Sequence, residues 1–285
     1  MSEYTVVTPN KRFPILSSVD SGDVMAAFKQ YGAILFRGFN VTLTEFAEFT
    51  DKFCYKYMIN PTPSRNIVSS GSQIQTVDRG TGYFPLHAER AQTPFQPDIA
   101  FFHCIKAPQG SGQTIFCDGT RIIEGLPAEI RRQLAGRSLL HRNYQTVEQL
   151  LAFLGIEDPL DIQNSLLDIG FDKYYRKFED KYYMHFMRPF FSRSKFTGEM
   201  AFANFLLFSR FKLNIMQSPC FENGDEIPTA LCQLILEVAE NITTKVEWEA
   251  LDILMIDNTR LMHGRMPFDN VEDREIYTRF GYSRI

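Results

Sequence analysis

Residues 98–119 read DIAFFHCIKA and GQTIFCDG, two apolar runs joined through the turn PQGSG. Short apolar runs bounded by Gly, Pro and Ser are strands buried in a core rather than helices, which need a longer periodic stretch. The pattern returns near the other end of the chain in ALDILMIDN, RLMHGRM and REIYTRFGYSR, again separated by tight turns. Between the two groups lie helical patterns, TRIIEGLPAEIRRQLAG and TVEQLLAFLGIEDPLDIQNSLLDIG, then a strand KYYMHFMRPFF and a periodic helix IPTALCQLILEVAENI. Strands on both sides of a helical block must be brought together in space. The layered solution is a pair of facing sheets, a β-sandwich or jelly roll decorated with helices. We therefore expect an α+β chain with a mainly β core, a double-stranded β-helix. No repeat or low-complexity linker divides it, so residues 1–285 read as a single domain with a helical insertion around 120–170.

The first third adds a helix, DSGDVMAAFKQYG, closed by Gly32, a strand AILFRGF, and a helix TLTEFAEFTDKFC whose Thr42 and Glu45 stand at capping-box spacing. A long polar segment follows, NPTPSRNIVSSGSQIQTVDRGTGYFP, of the kind that forms lids and binding loops. Aromatic composition agrees with packed sheets: 26 Phe and 12 Tyr stand against one Trp. The net charge of −4 is spread along the chain, without the basic stripe a nucleic-acid backbone requires. The opening MSEYTVVTPNKRF lacks a signal-peptide apolar run, and no stretch approaches membrane-spanning length, so a cytoplasmic chain with no membrane partner is expected. Cys54, Cys104, Cys117, Cys220 and Cys232 form no C-x-x-C pair and are odd in number, which fits buried thiols in a reducing compartment.

Within FPLHAERAQTPFQPDIAFFHC, His87 and Glu89 stand two residues apart. With five His and 34 acids, chance supplies roughly 0.6 such pairs, so the pair needs company. In extended chain the two side chains project to the same side and can converge on one ion. His263, in LMHGRMPF after the turn DNTR, is the candidate third ligand. Two imidazoles and a carboxylate on one face, with the opposite face open, suit non-haem Fe(II); a structural zinc site would be closed by four ligands. His103, His141 and His185 have no acid at the same spacing and read as structural, as does Arg265. Tyr83, Arg90 and Phe95 flank the proximal motif and are candidates for a substrate pocket.

These segments together resemble the TauD/TfdA family of Fe(II)/2-oxoglutarate dioxygenases, on the clavaminate synthase-like branch that carries Glu in the acidic position. GAILFRGFNVTLTEFAEF resembles the family's N-terminal strand and helix, PLHAERAQTPFQPDIAFFHC its proximal metal segment and GQTIFCDGTRIIEGLP its next hairpin and helix. RPFFSRSKFTGEMAFANF resembles a mid-chain segment, and LDILMIDNTRLMHGR the distal histidine turn. The resemblance implies that His87, Glu89 and His263 ligate Fe(II), that Thr114 hydrogen-bonds the C5 carboxylate of 2-oxoglutarate, and that Arg274 pairs with it. Family members carry two arginines four apart on the last strand, whereas Arg274 and Arg279 are five apart. An odd spacing turns them to opposite faces unless a bulge intervenes, so either could anchor the cosubstrate, with Arg274 favoured.

The activity so implied consumes 2-oxoglutarate and O2 to hydroxylate or desaturate an unactivated carbon of a small polar molecule. The Glu branch suggests an amino acid or an amino-acid-derived natural-product intermediate. Glu89 also argues against a halogenase, in which a small residue replaces the carboxylate. Two other classes stand beside this one: a jelly-roll binding module without iron, and a zinc-type hydrolase using the same three ligands. Oligomeric state is left open.

Overall fold

The computed structural model describes residues 4–9, 15–213 and 218–284. Ile99–Lys106 is the central, fourth strand of the larger of two facing sheets, whose order is Thr5–Val7, Ala33–Phe36, Ile253–Asp257, Ile99–Lys106, Glu275–Ser283, Ile74–Thr76, Ile67–Ser69, with Cys54–Met58 also paired to Glu275–Ser283. Only Thr5–Val7 and Ala33–Phe36 run parallel; the other pairs are antiparallel. Side chains alternate along each strand, so Ile99 and Phe101 meet the helices outside while Ala100, Phe102 and Cys104 face inward. Both faces are covered, which is why the sequence is apolar without alternation.

The smaller sheet runs Thr244–Val246, Thr114–Asp118, Leu261–Arg265, Phe84–His87, all antiparallel. Phe116 and Leu261 from this sheet pack on Phe102, Leu254, Ile276 and Phe280 from the larger one. This is the inter-sheet core of a jelly roll. Each fully buried Phe or Leu contributes about 1.5–3 kcal/mol through removal of apolar surface from water, so the facing rows hold the sheets together.

Helices close the outer faces. Ser21–Tyr31 is capped by Asp20, whose carboxylate accepts from the Gly22 and Asp23 N–H groups, and ends at Gly32 with φ 71°. Leu43–Asp51 carries the capping box expected of Thr42 and Glu45. The expected helix extended to Cys54, but Cys54–Met58 is a strand on the edge of the larger sheet. Phe28, Phe46 and Phe49 from these helices cover Phe36 and Phe101. Gly119–Gly125 and Thr229–Asn241 cover the smaller sheet through Ile122, Cys232 and Ile235.

The segment around 120–170 is helical as expected at Gly119–Gly125, Ala128–Leu134, Val147–Leu154 and Ile162–Asp168, but not throughout. Ser138–Thr146 is a strand that pairs over nine residues with Lys181–Pro189, in a third sheet with Tyr175–Phe178 and Cys220–Phe221. Only Leu139 and His141 are buried along it. Its apolar alternation is too short to register, and the strand is imposed by its partner. Among the described residues no helix is long and apolar enough to cross a membrane.

Candidate active site

His87 ends the strand Phe84–His87, and His263 sits in its neighbour Leu261–Arg265. The two are direct cross-strand partners, with ring centroids 4.5 Å apart. Glu89 joins them from beyond the strand end: the chain leaves the ladder after His87, and Asn258 fixes the turn. Asn258 Oδ1 accepts from the Glu89 N–H at 2.7 Å, and its Nδ2 donates to the Glu89 carbonyl at 3.1 Å and the Pro97 carbonyl at 2.8 Å. The convergence expected from extended chain thus comes from a turn held by the distal segment.

Nε2 of His87 and Nε2 of His263 each lie 4.0 Å from Glu89 Oε2. That is too long for a hydrogen bond, so the three atoms face one another without a shared proton. His87 Nδ1 lies 2.9 Å from the Pro85 carbonyl, which fixes the proton there and turns the Nε2 lone pair inward. Glu89 is oriented by two further groups, Asn60 Nδ2 donating to Oε1 at 2.6 Å and Arg65 Nη2 donating to Oε2 at 3.1 Å. Burial pushes the His87 imidazole below its ordinary pKa, and pushes that of His263 well below. Both rings are therefore neutral at physiological pH, the state that ligates metal. His87, Glu89 and His263 are all buried and each offers a ligand atom within 4.8 Å of the others. This nitrogen and oxygen donor set fits a divalent transition metal bound on one face.

Thr114 and Arg274 form a second group in the same cleft. Arg274 Nη2 donates to Thr114 Oγ1 at 3.2 Å and its Nε to the Gly112 carbonyl at 2.8 Å, while Trp248 Nε1 donates to the same hydroxyl at 3.0 Å. Burial brings the Arg274 guanidinium down to about 9. Among the described residues no carboxylate pairs with it. A buried guanidinium held only by neutral oxygens is an anion receptor. His87, His263, Phe102, Thr114, Arg274 and Arg65 line one cleft.

Arg279 lies elsewhere. It stands an odd number of residues from Arg274, so it faces the outer helices and donates to Ser72 O, Ala47 O, Thr50 Oγ1 and Asp51 Oδ1 at 2.6–2.9 Å, stacked 3.4 Å from the Tyr57 ring centroid. Four residues beyond Arg274 stands Thr278, whose hydroxyl donates to the Phe101 carbonyl. Arg265 donates to the Asp78 and Gly82 carbonyls, tying the long polar segment to the site. His103 is buried against Phe46 and His141 is buried in the third sheet, whereas His185 is exposed. Tyr83, Arg90 and Phe95 do not line the metal cleft. Sequence reasoning missed Asn60, Arg65 and Asn258. Only Asn258 had a local cue, its place in the DNTR turn.

The model of the taurine catabolism dioxygenase TauD, TfdA family matches residues 4–279. The chain belongs to the TauD/TfdA family. With the family comes the activity class of an iron- and 2-oxoglutarate-dependent dioxygenase. This TauD/TfdA chain is similar in structure to a taurine dioxygenase from Burkholderia xenovorans, at 16% identity and TM-score 0.63 over 95% of this chain and 84% of that one. It is similar to PvcB from Pseudomonas aeruginosa at 12% identity and TM-score 0.62, over 98% and 86%. AAD-2, solved with Mn(II) and N-oxalylglycine, gives 12% identity and TM-score 0.63 over 100% and 95%. At such identities the likeness speaks for the fold alone. Comparison with curated proteins by sequence finds no match.

Proposed function

We propose that this dioxygenase hydroxylates, or desaturates, an unactivated C–H of an amino acid or an amino-acid-derived natural-product intermediate. The observation that carries the reading is the pairing of two sites in one cleft: three neutral or anionic donors from His87, Glu89 and His263, and the anion receptor Thr114–Arg274. His87 Nε2, Glu89 Oε2 and His263 Nε2 would hold Fe(II), which when bound supplies the O2-activating redox chemistry coupled to 2-oxoglutarate decarboxylation. Arg274 and Thr114 would take the far carboxylate of 2-oxoglutarate, the guanidinium matching a carboxylate with two parallel N–H groups. Asn60 holds the Glu89 oxygen that does not face the histidines and Arg65 donates to the one that does, so together they aim the carboxylate. The hydrophobic wall of Phe102 and Phe84 keeps water from the reacting centre. One relative in fold, PvcB, is described as an Fe, alpha-ketoglutarate dependent oxygenase from an isonitrile synthetic pathway, which supports the natural-product reading. Unpaired thiols at all five cysteines support a cytoplasmic setting.

The test supplies Fe(II), 2-oxoglutarate and O2 with a panel of L-amino acids and measures succinate. Stimulation of succinate by at least one of them is expected. No stimulation with metal verified as bound would sink the amino-acid reading, and turnover retained without O2 and 2-oxoglutarate would favour the zinc-type hydrolase.

A further inference from the structure

Arg90 follows the ligand Glu89, is 8% exposed, and donates no hydrogen bond among the described residues. Its buried Nε and Nη2 meet no acceptor. The neighbouring buried arginines differ: Arg65 is paired with Glu89, Arg265 with two carbonyls, and Arg274 with Gly112 and Thr114. Glu89 attracts the Arg90 charge, but its two oxygens are already occupied by Asn60 and Arg65. Phe153 lies under the guanidinium with its centroid 5.2 Å away, which satisfies the face of the group and none of its N–H donors. The Arg90 backbone is also left-handed, at φ 60°, a conformation that costs energy for a residue with a side chain. Thr93 holds it there, donating to the Arg90 carbonyl through both its N–H at 3.0 Å and its hydroxyl at 2.9 Å. A strained backbone thus holds a buried cation whose Nε and Nη2 find no hydrogen-bond acceptor among the described residues. Phe153 also lines an aromatic cleft with Phe95, Phe171 and Tyr282, against the helices Val147–Leu154 and Ile162–Asp168.

We propose that Arg90 receives the carboxylate of the substrate, so that the substrate is a carboxylic acid whose apolar body packs beside Phe153. The planar guanidinium, bare of acceptors, matches a carboxylate through two parallel hydrogen bonds. This assignment rests on the oxygenase reading above.

The experiment uses protein loaded with Mn(II) and 2-oxoglutarate under nitrogen, and measures melting and calorimetric binding of L-amino acids and their carboxamides. We expect at least one amino acid to bind about tenfold or more tightly than its carboxamide, and Arg90→Met to erase that preference. Without ligand, R90M should melt at or above the wild-type temperature, because it removes an uncompensated buried charge. R90K should keep part of the preference through its charge. The proposal is overturned if R90M melts several degrees lower without ligand, if acid and amide bind alike, if no acid of the panel binds, or if R90K behaves as R90M. Metal and 2-oxoglutarate binding by the wild type, measured in the same preparation, separates the two readings: failure there sinks the oxygenase, while intact binding without an Arg90-dependent preference sinks only this assignment.

Discussion

Single side chains divide the labour sharply at the two C-terminal arginines. Arg274 points into the inter-sheet cleft with no acid partner among the described residues, and Arg279 is bound by the helix Leu43–Asp51 and Ser72 on the other face. Hydrogen bonds to charged groups are worth about 1.5–3 kcal/mol each, so Arg274→Met should weaken 2-oxoglutarate binding about 100-fold or more. Thr114→Val, which removes one neutral hydroxyl, should weaken it about tenfold. Arg279→Met should leave that affinity within about twofold and instead lower the melting temperature, since it removes the hydrogen bonds that tie the last strand to Ser72, Ala47, Thr50 and Asp51. Equilibrium dialysis of 2-oxoglutarate beside thermal melts checks all three variants. The odd spacing of these arginines was legible in the sequence. Which of them faces inward was not, because that depends on which side of Glu275–Ser283 the second sheet covers.

At the scale of elements, the proposed ligands depend on how two strands and a turn are locked. Gly264 lies beside His263, and a Cβ there would stand 2.4 Å from the Phe84 carbonyl on the strand that carries His87. Gly264→Ala must therefore part the two ligand strands. A loss of Fe(II) affinity of about 10–100-fold is expected, the range found when groups supporting metal ligands are removed, with the fold retained by circular dichroism. Asn258 is the corresponding lock for Glu89, and it is tied in turn to the inserted sheet: Gln96 Nε2 donates to the Asn258 carbonyl at 2.7 Å, and Arg188 donates to Gln96 Oε1. Asn258→Ala should weaken metal binding by a similar factor and destabilise the fold by about 1–3 kcal/mol for each buried group it leaves unpaired, read by urea titration. Helix caps, apolar strands and turn residues were readable because they are local. The strand Ser138–Thr146 and the grip of Asn60 and Arg65 on Glu89 were not, because each is created by a partner distant in sequence.

Across the whole molecule, buried titratable groups set how stability follows pH. Burial lowers His103 to about 4 and His141 to about 3, against an ordinary value near 6.5. The unfolded chain therefore takes up these protons first, and their neutral burial stabilises fully above about pH 6.5 and progressively less as pH falls toward 4. Asp257 works in the other direction: burial raises it to about 6, so its contribution is lost as pH rises from about 4 to 6. Two histidines outweigh one carboxyl, and the melting temperature should fall as pH drops from 6.5 to 4.5. His141→Leu should flatten that fall; an unchanged slope would contradict the assignment. The jelly roll itself followed from short apolar strands at both ends of the chain, and its purpose here is to bring residues 87–89 and residue 263 together at one rim of the smaller sheet. The most direct measurement is a crystal structure of the protein with Mn(II) and a 2-oxoglutarate analogue. The account predicts metal on His87 Nε2, Glu89 Oε2 and His263 Nε2, with the analogue's far carboxylate on Arg274 and Thr114; metal held without His263, or the carboxylate on Arg279, would contradict it.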